Sequence, residues 1–212
     1  MATAPRPRRR MPAEDRREQI LDVAHAIVDA DGFHAATLNR IAAEAGVTRT
    51  ILYHRFGDLS GLFVALIDRE AARAGAQFAA AVAPSNDGEG EGEDDERASE
   101  SLGVFGRAFA GILRAIDAHP ATWRLFLIPP EGAPPELHER LAESQDRVRA
   151  YLAAGLVEVN PDLADPEYTA HVIHGAGREL LCLRLTDPEH ATHERLLAHV
   201  ARLTPALLRR TG

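Results

Sequence analysis

Thr48, Arg49, Thr50, Tyr53 and His54 crowd into seven consecutive positions, and all of them can hydrogen-bond or carry positive charge. No acid interrupts them. Guanidinium, hydroxyl and imidazole groups at that density suit phosphate oxygens and the edges of bases. Thr37 and Arg40, a few residues earlier, are of the same kind. An ordinary structural corner would face outward with Glu, Lys, Gln or Arg, since Thr, Tyr and His are mediocre helix formers. Residue types alone still leave open the plainer reading, a common αα-corner with no binding role.

The elements that must position these residues are legible from spacing. Leu38, Ile41, Ala42 and Ala45 recur at helical intervals, so 37–45 reads as a short amphipathic helix with Thr37 as its N-cap. Gly46 sits where a helix ends, because glycine enters the left-handed region without a Cβ penalty. Val47 then turns inward, and Thr48 is expected to cap a second short helix with Ile51 and Leu52 on its buried side. Two short helices joined by a tight glycine turn make a helix-turn-helix, whose second helix enters a major groove.

The stretch from Arg17 to Leu66 resembles the TetR family of transcriptional regulators. The residues that carry the resemblance are Ile20, Ala24, Asp31-Gly32-Phe33, Thr37, Ile41-Ala42, Ala45-Gly46-Val47, Leu52-Tyr53-His54, Phe56 and Leu62. Each piece is weak alone, and the set is specific. The resemblance implies a DNA-binding head followed by a helical body that encloses a small-molecule pocket and dimerises. It also implies a fourth helix joining the two, whose tilt sets the spacing of paired heads. One position departs from the family pattern: a phosphate-contacting lysine usually opens the fourth helix, and here that residue is Leu59. That contact is missing or supplied elsewhere.

With 212 residues the chain can hold one large or two small domains, and 45% hydrophobic residues with 5% aromatics mark a soluble globular protein. The net charge of −8 divides unevenly. Residues 1–60 hold nine Arg against eight acids, whereas 61–212 hold 15 Arg against 24 acids. The asymmetry favours an N-terminal module that meets phosphate. A single cysteine, Cys182, excludes an intramolecular disulfide and a Cys-rich zinc site. No run is long enough to cross a bilayer. The Arg-rich start is not followed by an apolar stretch, so no signal peptide is expected and the expected compartment is the cytoplasm. No cofactor and no membrane partner are expected.

Taken in order, the chain reads as all-α with about nine helices. Residues 1–12 form a disordered basic arm, 13–57 the helix-turn-helix head and 58–212 the ligand-binding and dimerisation body. Within the head, Ile20, Leu21, Ala24, Ile27 and Val28 stripe a first helix that Gly32 ends, and Phe33 should enter the core. Asp58 should cap the long fourth helix. Residues 84–97 hold a run, Asp87 to Glu96, with seven acids among three glycines, and are expected to be a disordered loop. A stripe through Leu102, Phe105, Phe109, Ile112 and Ile116 marks the next helix. A short apolar segment follows at 123–128, and a helix runs from Leu137 to the Asn160-Pro161 break. Asp165-Pro166-Glu167 and Asp187-Pro188-Glu189 each spell a helix start, near 166 and 188.

In the DNA-binding reading, Thr48, Arg49, Thr50 and Tyr53 enter the groove, with Arg49 on a guanine edge. His54, Tyr53, Thr37 and Arg40 hold phosphates. For the body, Phe105, Phe109, Trp123, Phe126 and Tyr151 are pocket candidates, with His171, His174 and Arg178 as polar handles. A homodimer interface is expected on the last two helices through Val172, Ala176, Leu180, Leu183, Leu196, Val200 and Leu203, with Gly175-Ala176-Gly177 permitting close approach. The leading expectation is a homodimeric repressor released from a palindromic DNA operator by a small-molecule effector. Alternatives are a constitutive regulator or activator without an effector, and a metal-dependent enzyme using His171, His174 and Glu179.

Overall fold

The computed structural model describes residues 12–83 and 103–207. The basic arm before Pro12, the acidic segment and Leu102 lie outside them. Among the described residues nine α-helices and one short 3-10 turn make up the regular structure, with no strand. The helices are α1 (Ala13–Asp31), α2 (Leu38–Glu44), α3 (Arg49–Phe56), α4 (Leu59–Val82), α5 (Gly103–Ala118), α6 (Pro120–Leu127), α7 (Pro135–Val159), α8 (Pro166–Thr186) and α9 (His193–Leu207).

The chain divides into two compact units, one ending at Leu66 and the other beginning at Ile67. The head therefore includes the first turns of α4 and does not stop at residue 57. The reason is packing. Leu62 and Leu66 are fully buried, and the Phe63 ring meets Phe33 edge-on with centroids 5.0 Å apart. Around them Ile20, Leu21, Ala24, Ile27, Val28, Ile41 and Leu52 complete a core in which each large side chain contributes about 1.5–3 kcal/mol of burial.

Local signals set the ends of these helices. Thr37 accepts from the Arg40 N–H at 3.3 Å and so caps α2. Gly46, at φ 63°, closes α2 with a Schellman pair: its N–H bonds the Ala43 carbonyl, and the Val47 N–H bonds that of Ala42. The Asp58 carboxylate accepts from the Gly61 N–H at 2.8 Å and starts α4. Thr48 corrects the expectation. Its backbone is extended as at a cap, but its side chain makes no capping hydrogen bond.

In the second unit α7 and α8 pack along each other, and α5 contacts α6, α8 and α9. The core gathers Phe109, Leu113, Ile116, Trp123, Leu181, Ala191 and Leu196. Where α5 meets α4 the backbones nearly touch: a Cβ on Gly111 would lie 2.8 Å from the Ala81 carbonyl oxygen. Asp165 caps α8 as expected, accepting from the Tyr168 N–H at 3.0 Å.

The last helix begins at His193 and not at 188. Thr192 caps it through the Arg195 N–H, while 188–190 form a turn. Arg184 from α8 donates to the carbonyls of Pro188 and Ala191, which holds that turn in place of a helical one. The same guanidinium grips Asp117 of α5 with two bonds, at 2.8 and 2.9 Å, and His193 reaches Asp117 at 2.9 Å. The Arg184 hydrogen bond holds the Asp117 carboxyl below its ordinary pKa, and His193 adds to the effect against a burial penalty.

Two predictions follow from close approach and from charge. A Cβ on Gly61 would lie 2.1 Å from the Phe56 carbonyl oxygen, so Gly61→Ala must displace backbone at the α3–α4 turn. Its expected cost is about 1–3 kcal/mol in chemical denaturation. Gly75→Ala, with nothing within 4 Å of the new methyl, should gain a few tenths to about 1 kcal/mol from helix propensity. Asp117→Asn should cost about 1 kcal/mol at pH 7, a small figure because the carboxylate is 38% exposed and screened. A depressed folded pKa stabilises above the unfolded value and is lost as pH falls through the folded one. Wild type and Asp117→Asn should thus converge in stability in acid, as denaturation midpoints from pH 7 down to 2 would read out.

Candidate nucleic-acid interface and body cavity

On α3 only Leu52 is buried. Arg49, Thr50, Tyr53 and His54 are exposed, as are Thr48 at the entrance and Thr37 before α2. Ile51 is also exposed at 37%, against the expectation that it would be buried beside Leu52. A helix of eight residues presents one narrow face inward, and the single residue Leu52 fills it. Arg49 donates to the Tyr53 hydroxyl at 3.1 Å and stands 5.7 Å from the Tyr53 ring centroid. This i,i+4 pair aligns both side chains on one outward face. Phe56, at the end of α3, lies under Arg17 of α1 at 5.7 Å, which ties the recognition element back to the first helix.

Arg40 is placed differently from the other candidates. Its guanidinium bridges Asp31, at 2.7 Å, and Glu44, at 2.8 Å. The hydrogen bonds to Glu44 and Asp31 raise its pKa above the ordinary arginine value. In this arrangement it fastens α2 to the end of α1, and a phosphate would have to displace a carboxylate to reach it. Leu59, at the position of the family's lysine, opens α4 with its side chain partly buried.

The second unit contains a cavity of about 200 Å³. Seven of the eight pocket candidates stand on its wall: Phe105, Phe109, Trp123, Phe126, Tyr151, His174 and Arg178. His171 does not; it is exposed beside the Tyr168 ring. Residues three apart on a helix differ by about 60° in direction, enough to separate a wall residue from an outer one. Only His174 of the two faces the cavity, Glu179 is exposed, and no trio of metal-ligating side chains converges among the described residues.

The wall is held by hydrogen bonds that sequence reading missed. Trp123 donates its indole N–H to Gln77 of α4 at 2.7 Å. Next to it, Thr122 donates at 2.5 Å to Glu70, a carboxylate with no solvent exposure. Arg69 and Arg73 bond the other oxygen of Glu70 at 2.9 and 3.0 Å. Across the cavity Arg178 donates to the Leu127 carbonyl at 2.8 Å, and the Cys182 thiol reaches the same oxygen at 3.6 Å. Burial pushes the Cys182 thiol above its ordinary pKa, so it stays protonated and unreactive at pH 7. His174 moves below its ordinary value, through burial first and then through the charges of Arg149, Arg178 and His171.

The interface candidates on the last two helices separate. Val172, Ala176, Leu183 and Leu203 are exposed, and Leu180 and Val200 are half-buried against the core. Leu196 is 4% exposed and belongs to the core of its own chain, which corrects its assignment to an interface. Gly175 is exposed with nothing near it, whereas Gly177 faces Phe109 inside. No described helix is long and apolar enough to cross a membrane.

A helix-turn-helix head with an uncluttered polar α3, joined to a helical unit with its own cavity, defines the architectural class. Residues 20–66 match the profile of the bacterial regulatory proteins of the tetR family. The chain is 37% identical over 60 residues to the HTH-type transcriptional activator FasR of Mycolicibacterium smegmatis. It is 36% identical over 61 residues to an HTH-type transcriptional regulator of Staphylococcus aureus. The chain spans only 27% and 33% of the lengths of those two relatives. A TetR-like transcriptional regulator from Rhodococcus sp. RHA1 superposes with a TM-score of 0.69 at 26% identity, covering 93% of this chain and 99% of the other. A transcriptional regulator from Pseudomonas aeruginosa PAO1 shares the fold, with a TM-score of 0.69 at 18% identity over 94% of this chain and 93% of its own. Residues 20–66 thus carry the DNA-binding module of the tetR family, and the chain as a whole shares its fold with a TetR-like transcriptional regulator.

The buried Glu70 yields a direct test. Thr122→Val removes a donor from a carboxylate that water cannot reach, and should cost about 1–3 kcal/mol by urea denaturation. Thr122→Ser keeps the hydroxyl and should lose much less. Equal losses in the two variants would show that the methyl group, and not the hydrogen bond, matters.

Proposed function

We propose that the chain is a sequence-specific DNA-binding transcriptional regulator, a homodimeric repressor released from a palindromic operator by a small molecule in the body cavity. The observation that carries this reading is the α3 surface, where Thr48, Arg49, Thr50, Tyr53 and His54 are all exposed and none is acidic. Arg49 presents the planar fork that matches the two acceptors of a guanine edge. Tyr53 and His54, with Thr37 at the start of α2, hold phosphates and fix the register. Arg40 joins them only if it exchanges a carboxylate for a phosphate.

One head of this size reads half a site, which calls for two copies on a near-palindrome. Val172, Ala176 and Leu183 on α8, with Leu203 on α9, supply an exposed apolar face that a second copy would cover. Effector control rests on a difference in affinity between two states of the dimer. The hydrogen bonds from Thr122 and Trp123 to Glu70 and Gln77 support α4 as the responding element, because Trp123 stands on the cavity wall. An activator is the second reading, favoured by the name of the Mycolicibacterium smegmatis relative. Expression of a reporter behind the bound promoter separates the two, since deletion of a repressor raises the signal and deletion of an activator lowers it.

Fluorescence anisotropy against DNA upstream of its own gene, with random duplex as control, tests the base-reading role. Arg49→Ala should cost about 1–3 kcal/mol on the preferred fragment and relax one base position. His54→Ala should weaken all duplexes alike. An Arg49→Ala loss of equal size on random duplex would contradict base reading.

A further inference from the structure

The cavity wall has one kind of charge. Its aromatic and aliphatic lining is broken by a few polar groups; among the described residues Arg178 is the only one on the wall that carries a formal charge at pH 7, and no described carboxylate lines the space. Arg178 is partly buried on α8 and pairs with no acid among the described residues. Its bond to the Leu127 carbonyl uses one of five guanidinium N–H groups. His174, one helical turn earlier, stands on the same wall. From α7, Ser144 and Gln145 add neutral hydrogen-bonding groups. The charges near this end are Arg149, which is tied to Asp146 of its own helix, and Glu179, which is exposed outside.

We propose that the cavity takes a small monocarboxylate with an apolar body, its carboxylate held by Arg178 and its body packed on Phe105, Phe109 and Phe126. The inference rests on the effector reading above and names the chemistry of the effector. A cationic ligand would meet an arginine and no counter-charge among the described residues. A phosphate ester, with up to two negative charges, would need more than the single cation this wall presents. A carboxylate matches the guanidinium fork two bonds to two oxygens. His174 is kept neutral by burial and by the nearby positive charges, so it can donate a hydrogen bond to the anion without competing for the proton. A volume of about 200 Å³ accommodates one short chain or ring system.

The test is isothermal calorimetry of the full chain with octanoate, octanol and octylamine, three probes of the same body and different head. Octanoate should bind, octanol roughly ten- to a hundredfold more weakly, and octylamine not detectably. Arg178→Gln should abolish the preference, bringing octanoate down to the affinity of octanol for the same variant, and Arg178→Lys should keep the preference in part. Unfolding of each variant without probe checks that loss of the Leu127 bond has not collapsed the wall; if it has, the three probes on the native chain still decide. Octanol binding as tightly as octanoate, preference surviving in Arg178→Gln, or no binding of any probe would overturn the proposal. The same titration beside labelled operator separates it from the effector reading. Octanoate heat without DNA release keeps the ligand class and defeats the effector role, whereas release by octylamine alone keeps an effector role and defeats the ligand class.

Discussion

Glu70 has no solvent exposure, and a buried carboxylate persists only where donors converge on it. Donors from two helices reach it: Arg69 and Arg73 from α4 itself, and the Thr122 hydroxyl from α6. Sliding α6 against α4 would leave the charge short of a donor, so the carboxylate locks the register between them. One residue on, the Trp123 indole repeats the connection to Gln77 two turns along α4. The cavity depends on that lock, because Trp123 is part of its wall. An apolar contact in the same place would tolerate slippage; a hydrogen-bonded charge does not.

The head is built on a different principle. Its core is almost wholly aliphatic, and its precision comes from backbone geometry at two turns. Gly46 closes α2 in the left-handed region, and Gly61 lies so near the Phe56 carbonyl that only a hydrogen fits. These turns aim α3, and with Leu52 alone pointing inward the rest of that short helix is available to solvent. Arg40, bridged between Asp31 and Glu44, braces the base of the motif.

The two units also differ in how they resemble other proteins. The family profile matches the head, over residues 20–66, whereas the whole chain matches the fold of solved regulators at 26% identity or less. A surface that must meet the fixed geometry of a duplex constrains residue types, while a helical body needs only its volume and polarity pattern preserved. The cavity wall is thereby free to vary, and among the described residues this chain's wall carries one arginine amid aromatics.

What the amino-acid order determined by itself is local. The caps at Thr37, Asp58 and Asp165, the glycine stop at Gly46 and the burial of Ile20, Ile41 and Leu62 follow from neighbours within a turn or two, and each is present. The cluster of Phe105, Phe109, Trp123, Phe126 and Tyr151 around one space was legible too, since large aromatics on several helices of one small unit must meet inside it. What tertiary structure decided is which long-range partner each polar group found. Glu70 reads as a surface acid in sequence and becomes a buried anchor through Thr122, fifty-two positions away. Arg184 takes the carbonyls that a helix from Pro188 would have used, and so moves its start to His193. Leu196 turns into the core and His171 out of the cavity for the same reason. Periodicity tells that a helix has two sides; the crossing of helices far apart in the chain chooses which side is covered.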